Sequence, residues 1–193
     1  MGLIKKIQNL ELFSQTRLVG GTSLALQFGH RESFDIDLFG SIPSEHNEIK
    51  SALNVLGEVE SITISKNIHV FSVSGIKVDI VNNPFIWLTP PIKTDGVVLA
   101  DVCDIAAMKL AAVTGRGSKK DFIDIFFILK RYSLKEILSF YSRKYNEASE
   151  FLVLKSLAWF ADAESEPMPK MKEEINWDDV KSVIRKELKT YSL

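Results

Sequence analysis

The chain has 193 residues, 46% hydrophobic and 25% charged, an ordinary globular composition with enough length for a core and one or two small domains. Lys+Arg is 24 against Asp+Glu 25, so the net charge of -1 excludes a global attraction to nucleic acid and leaves only a local basic patch as a route to phosphates. The single cysteine, Cys103, excludes an internal disulfide; it sits in an apolar helical pattern and reads as a core thiol. No apolar run is long enough to span a bilayer and no secretory leader is visible in Met1 to Leu12, so a cytoplasmic protein without membrane contact is expected.

In chain order, residues 2–13 read as a short amphipathic helix with Leu3, Ile4, Ile7 and Leu10 on one side. Gly20-Gly21 breaks the chain before a helix over Thr22 to Phe28, with Thr22 or Ser23 near its start and Gly29 beyond its end. The alternation Phe34-Asp35-Ile36-Asp37-Leu38-Phe39 reads as a strand ended by Gly40. A helix over 45–57 follows, with Ile49, Leu53 and Leu56 inward. Then come a hairpin from Ser61 toward Val73 turning near Lys66-Asn67, and a strand over Ile76 to Val81. Pro84, Pro90 and Pro91 punctuate the next connection. The period then changes from two to 3.6, with helices at 101–114, 119–131, 134–144, 147–162 and 177–190, and a proline-bearing linker from Glu164 to Met171. The change divides the chain into an α/β core over 1–95 and a helical subdomain over 96–193, expected to pack on the core and complete an active cleft.

Alternation on a strand puts Asp35 and Asp37 on one face and Ile36 on the other. Two neighbouring carboxylates repel unless solvent, a proton or a cation intervenes, and Mg²⁺, or Mn²⁺ in its place, suits hard oxygen ligands. A solvated strand end explains the pair equally well when it is read alone. Asp79, between Val78 and Ile80 in another strand, supplies a third carboxylate if that strand lies beside the first; such a set suits two-metal phosphoryl chemistry. Gly20-Gly21 ahead of a helix allows a phosphate to approach backbone N–H groups, with Thr22 and Ser23 adding hydroxyls and Arg31 and Ser33 standing just before the first carboxylate. An ordinary turn is the plainer reading of Gly-Gly by itself. Neither a P-loop nor a dinucleotide-binding glycine pattern is present.

In the helical half, Lys109 either snorkels from a packed helix or meets a phosphate. Asp121 and Asp124 share a helical side and could position Lys109, Lys120 or substrate; Asp121 also suits helix capping. Arg116, Lys119 and Lys120 form either a basic patch for RNA phosphates or a solvated helix end. His30, His46 and His69 are too scattered to suggest a zinc site. Trp87, Trp159 and Trp177 are candidates for base stacking, with helix packing the plainer reading for the last two.

The run Leu18-Val-Gly-Gly-Thr-Ser-Leu-Ala-Leu-Gln-Phe-Gly-His-Arg-Glu-Ser-Phe-Asp-Ile-Asp-Leu-Phe39 resembles the signature of the AbiEii/AbiGii toxin family, within the DNA polymerase β-like nucleotidyltransferase superfamily. Ile76-Lys-Val-Asp-Ile80, the stretch Asp101 to Leu129, and Trp159-Phe-Ala-Asp-Ala-Glu164 with Trp177 extend the likeness over most of the chain. The resemblance implies an α+β polymerase β-like fold, a short mixed sheet flanked by helices and followed by a helical subdomain. It implies catalysis and metal binding by Asp35, Asp37 and Asp79. Nucleotide contacts would come from Gly20, Gly21, Thr22, Ser23, Arg31, Ser33, Lys109, Lys120, Asp121 and Asp124. It further implies a toxin of a toxin–antitoxin or phage-defence system with a cognate antitoxin, moving a nucleoside monophosphate from an NTP, with Mg²⁺, to an RNA or tRNA 3′ end. Nucleotidylation of a protein or small molecule, phosphohydrolysis, or non-catalytic partner binding on the same fold are the alternatives, and oligomeric state is left open.

Overall fold

The computed structural model describes residues 2–42, 44–146 and 149–191. The chain forms two compact units: Met1–Ser23, Ser33–Phe85 and Pro90–Ala100 make the first, while Leu24–Glu32, Ile86–Thr89 and Asp101–Leu193 make the second. No helix among the described residues is long and apolar enough to cross a membrane.

The first unit is built on a seven-stranded mixed sheet. In chain order it comprises α1 (Gly2–Gln8), a 3-10 turn at Glu11–Phe13, β1 (Arg17–Leu18), β2 (Ile36–Gly40), α3 (His46–Asn54), β3 (Val59–Ile64), β4 (Ile68–Val73), β5 (Ile76–Asn82), β6 (Ile92–Thr94) and β7 (Val97–Leu99). The strand order is β3-β4-β5-β2-β1-β7-β6. β2 runs parallel to β5 and β1 parallel to β7, while the remaining neighbours are antiparallel. The period-two pattern sets which face is dry: Ile36 and Leu38 pair in register with Val78 and Ile80, and all four are buried with Phe71, Val73, Ile49 and Leu53. Each such side chain contributes about 1.5–3 kcal/mol on burial.

Three strands escape the sequence reading. β1 has two residues, too few for a period. β6 and β7 have three each and join through Asp95-Gly96, whose positive φ values of 48° and 71° mark a two-residue hairpin turn. The expected helix over 2–13 divides because Leu10 is extended (φ -73°, ψ 133°), and the chain re-enters as the 3-10 turn.

The second unit is helical: α4 (Val102–Gly115), α5 (Lys119–Leu129), α6 (Leu134–Lys144), α7 (Glu150–Leu157), α8 (Ala161–Glu164) and α9 (Trp177–Tyr191). α2 (Gly20–Phe28) starts in the first unit and ends in the second. Asp101 caps α4 through the Cys103 N–H, and a reciprocal Ser133/Glu136 box opens α6. The helix expected over 147–162 is two helices, and its first two residues lie outside the described ones. The chain turns after Leu157, and buried Phe160 packs on Phe122 and Trp177 with ring centroids 5.0 and 5.9 Å away. Asp104 and Lys144 form a fully buried pair at 2.7 Å. Lys144 also donates to the Ile86 carbonyl, and the Leu88 N–H and Thr89 hydroxyl donate to Asp104, tying Ile86–Thr89 to α4 and α6.

The stretch Glu164 to Met171, read as a linker, is docked rather than slack. Glu32 N–H donates to the Lys170 carbonyl, Lys172 N–H donates to the His30 carbonyl, and Arg31 bridges Met171. Buried Lys119 donates to the carbonyls of Glu164 and Glu166, while its backbone N–H donates to the Glu166 carboxylate. Proline in this segment removes donors the strand-like pairing does not need.

Gly40 is the last residue of β2, as expected, and backbone crosses close to it there. A Cβ on it would stand 2.6 Å from the Gln15 carbonyl oxygen and 2.9 Å from Thr16 Cα. Gly40→Ala is therefore expected to lower unfolding free energy by about 1–3 kcal/mol in urea titration. Gly115→Ala, with nothing within 4 Å, is expected to leave it unchanged or raise it by up to about 1 kcal/mol.

Candidate active site

β2 and β5 place two of the expected carboxylates side by side. Asp37 and Asp79 are register partners on parallel neighbours, so their side chains leave the same face of the sheet, opposite the buried Ile36/Val78 and Leu38/Ile80 pairs. Asp35 precedes β2 by one residue and continues the alternation, half-buried like Asp37. Asp79 Oδ1 is buried with no hydrogen-bond partner among the described residues, while Oδ2 accepts from Lys77 Nζ at 2.7 Å. Lys77 is a site residue that sequence reasoning missed, although its position two before Asp79 on one strand put it on the same face.

Gly20 is the steric counterpart of Asp37. Its φ is +68°, and a Cβ there would lie 2.2 Å from Asp37 Oδ2 and 3.0 Å from Asp37 Cγ. Only glycine lets the first turn of α2 come this close to the carboxylate. The Val19 N–H donates to the Asp37 carbonyl at 2.9 Å, fixing the approach from the backbone side. α2 begins at Gly20 itself, two residues earlier than expected, so Gly21, Thr22 and Ser23 fall in its first turn. Thr22 is buried; its hydroxyl lies 3.0 Å from Ser33 Oγ and donates to the Asp35 carbonyl, which holds the Ser33–Asp35 segment against α2. Ser23 is fully buried. Gly20, Thr22, Ser33, Asp35, Asp37 and Asp79 thus belong to one constellation within the first unit.

Arg31, Lys109, Asp121 and Asp124 gather in the second unit, buried. Asp124 accepts from Arg31 Nε at 2.7 Å, Arg31 Nη2 at 2.8 Å and His30 Nε2 at 2.8 Å, and its Oδ2 pairs with Lys109 Nζ at 2.6 Å. Lys109 Nζ also donates to Asp121 Oδ1 at 2.8 Å, and the Ser118 hydroxyl donates to Asp121 Oδ2. Burial works against ionisation of Asp124, but the Lys109 charge and the Arg31 and His30 hydrogen bonds outweigh it and hold the carboxyl well below the usual range. The same balance of burial against Lys109 lowers Asp121, and burial of Lys109 is outweighed by Asp124 and Asp121, which raise the ammonium. Lys120 stands half-buried in the first turn of α5, beside Arg116.

Among the described residues no three His, Cys, Asp or Glu side chains gather closely enough to hold a metal unaided. His46 and His69, taken as scattered, meet with their Nδ1 atoms 3.2 Å apart, an imidazole pair with no third ligand among the described residues. Burial pushes the Cys103 thiol up to about 11, so it stays protonated at neutral pH and makes no nucleophile. Trp177 packs on Phe122 and Phe160 as expected, whereas Trp159 is 61% exposed.

A family model described as "Nucleotidyl transferase AbiEii toxin, Type IV TA system" matches residues 3–190. An uncharacterized protein of Aquifex aeolicus (strain VF5) is 31% identical over 194 residues, covering 97% of this chain and 93% of that one. The nucleotidyltransferase toxin MenT4 of Mycobacterium tuberculosis H37Rv superposes with a TM-score of 0.64 at 15% identity, covering 96% of this chain and 79% of that one. JHP933 of Helicobacter pylori gives 0.54 at 15% identity, covering 98% and 90%. These last two likenesses establish the fold.

The Asp124 cluster generates a stability prediction with a defined sign. Asp121 and Asp124 are lowered in the folded state, so their contribution is full above the unfolded carboxyl value of about 3.9 and is lost as pH falls toward the folded values. Lys109 is raised, so its contribution is full below about 10.4 and is lost as pH climbs through its folded value. Asp124→Asn, which leaves two buried cations facing one carboxylate, is expected to cost about 3–5 kcal/mol near neutral pH in urea titration. The gap from wild type should narrow below about pH 4.

Proposed function

The chain belongs to the AbiEii nucleotidyltransferase toxin family of the polymerase β-like superfamily, and we propose that it moves a nucleoside monophosphate from an NTP to the 3′ hydroxyl of an RNA, tRNA included. Membership makes it a nucleotidyltransferase and a toxin of a toxin–antitoxin pair. The observation that carries the proposal is the meeting of Asp37 with both Gly20 and Asp79. It sets a carboxylate pair directly beside a helix start that glycine has opened.

The N–H groups of Gly20, Gly21 and Thr22 at the start of α2 have no intrahelical acceptor and favour an anion, so these three are assigned to the phosphates; the Ser23 N–H already donates to the Val19 carbonyl at 3.3 Å and its side chain is fully buried, which sets it behind them. Asp37 and Asp79, with Asp35 beside them, are assigned to divalent metal. The unpartnered buried Asp79 Oδ1 supports this, since such an oxygen is costly until a cation or donor reaches it. A set of one or two carboxylates completed by substrate phosphates is how Mg²⁺ is usually held, which fits a site lacking three gathered acids. When bound, Mg²⁺ supplies charge neutralisation on the phosphates and acidifies a coordinated hydroxyl.

In the reaction the acceptor oxygen forms a bond to the α-phosphorus, the bond from that phosphorus to the bridging oxygen breaks, and pyrophosphate leaves. The Asp79 carboxylate takes the hydroxyl proton. Lys77, held on Oδ2, fixes the carboxylate's orientation. Arg31, Lys109, Asp121 and Asp124 are assigned to positioning, because each is engaged by another of the four.

The test is incubation of the purified protein with each α-labelled NTP, Mg²⁺ and total cellular RNA, followed by separation of RNA, protein and small molecules. Label is expected in the RNA fraction, to be lost on chelation and reduced at least about 100-fold in Asp37→Asn. Label in protein or small molecules would overturn the acceptor, and no label in any fraction would overturn the activity. Gly20→Ala is expected to reduce transfer about 100-fold by displacing the Asp37 carboxylate. Its folding cost should be only about 1–2 kcal/mol from the left-handed backbone.

A further inference from the structure

A groove of about 610 Å³ runs along the C-terminal ends of α4 and α7, wholly inside the second unit. That volume lies in the range of small-molecule and nucleotide sites. Its floor includes Val113, Leu152 and Ala158, and its edge carries Trp159, 61% exposed at the turn between α7 and α8. Trp177, by contrast, is half-buried and packs on Phe122 and Phe160, so an indole left this far in water is a surface open to a partner ring.

Two exposed cations, Arg116 and Lys155, line the same groove, and neither has an ion-pair or hydrogen-bond partner for its side chain among the described residues. Asp162 is the one carboxylate among the lining residues. Arg116 also borders a second concavity of about 350 Å³, whose lining includes Lys120 and Glu166. Its lining sets two cations, Arg116 and Lys120, against one carboxylate, Glu166, so the balance there is positive. Arg116 borders both concavities, so Lys155, Arg116 and Lys120 line two adjoining hollows, with the exposed Trp159 indole on the larger.

We propose that this surface binds a single-stranded nucleic acid, with one base stacked on Trp159 and the flanking phosphates on Lys155 and Arg116. Every base has a π-face, so an exposed aromatic between cations grips a strand without reading its sequence. Unpaired guanidinium and ammonium groups meet phosphates without first breaking protein bonds. A duplex, with its bases stacked on each other, offers nothing for Trp159 to hold. The proposal does not depend on the carboxylate chemistry of the first unit.

The test is fluorescence anisotropy with labelled single-stranded RNA and DNA of one sequence, about 12 nucleotides long, at low and physiological salt. It is repeated on the Asp37→Asn background, so that failure of transfer and failure of binding are separate results. Binding of either strand is expected to weaken as salt rises, and the RNA and DNA arms identify which strand is preferred. Trp159→Ala should bind about tenfold more weakly and Trp159→Phe within about threefold of wild type. Arg116→Gln with Lys155→Gln should lower the salt slope by about 1.4. Trp159 is exposed, so thermal melting of Trp159→Ala should match wild type. Wild-type affinity in Trp159→Ala, competition by duplex as strong as by single strand, or no binding at low salt, which would leave the groove to a protein partner, would each overturn the proposal.

Discussion

One carboxylate organises the second unit. Asp124 is fully buried and receives four donors, two from Arg31, one from His30 and one from Lys109. A carboxylate has about four acceptor sites, so this one is filled. Its partners come from α4 and from the short segment after α2, while Asp124 itself lies on α5. A single anion thus fixes the relative placement of three stretches that are distant in sequence. The consequences spread outward: the His30–Glu32 backbone, held by Arg31, pairs with Lys170–Lys172, and the proline-bearing segment in turn closes over Lys119. Burying ions is not a cheap source of stability, since an apolar cluster of equal volume would serve as well or better. What it supplies is direction: fork-shaped and linear donors accept one arrangement, whereas aliphatic side chains tolerate several.

The first unit rests on a different constraint, the absence of side-chain volume. Gly40 admits the backbone of Gln15–Thr16 against β2, and Gly20 admits α2 against Asp37. Both close approaches converge on β2, the strand that also carries Asp37 into register with Asp79. The strand is therefore held by backbone contact at both ends. The Thr22 hydroxyl adds a third tie, to the Asp35 carbonyl.

These constraints differ in how far the sequence discloses them. The Asp-Ile-Asp alternation is legible because strand period is a local rule, and Val78-Asp79-Ile80 repeats it, so the facing of all three acids follows without coordinates. Their pairing does not, because a parallel partner about 40 residues away has no local signature. The same distance problem hides only part of the Asp124 cluster: the spacing of Asp121 and Asp124 already allows a pairing with Lys109, whereas His30 and Arg31 join it only through the fold. Asp104–Lys144 is less legible still, since a lysine with no exposed side chain contradicts the usual habit of that residue. Some misses were avoidable. Asp95-Gly96 is a hairpin turn by its chemistry, and Lys77 sits two residues from Asp79 on a strand already recognised. Glu164 to Met171 is legible as the connection between the last helices, but its docking is not, because proline marks an end of helix and says nothing of pairing.

The contrast between Asp124 and Asp79 separates a satisfied acid from an unsatisfied one. A cation arriving at Asp124 must displace one of four donors in a dry site and strand another buried charge, so the residue resists a ligand. Asp79 is the reverse case: one oxygen is steadied by a partly exposed lysine, and the other is buried without a partner. Leaving a polar atom unpaired costs free energy in the folded protein, and that cost is recovered only when something binds. The unpaired oxygen also faces the same side as Asp37, whose own surroundings were cleared by a glycine in a conformation other residues avoid. One local cost, the unsatisfied oxygen, thus lies one register pair from a helix start that glycine has opened without strain. A ligand that relieves the first and suits the second needs a cation toward the carboxylates and an anion toward the helix start.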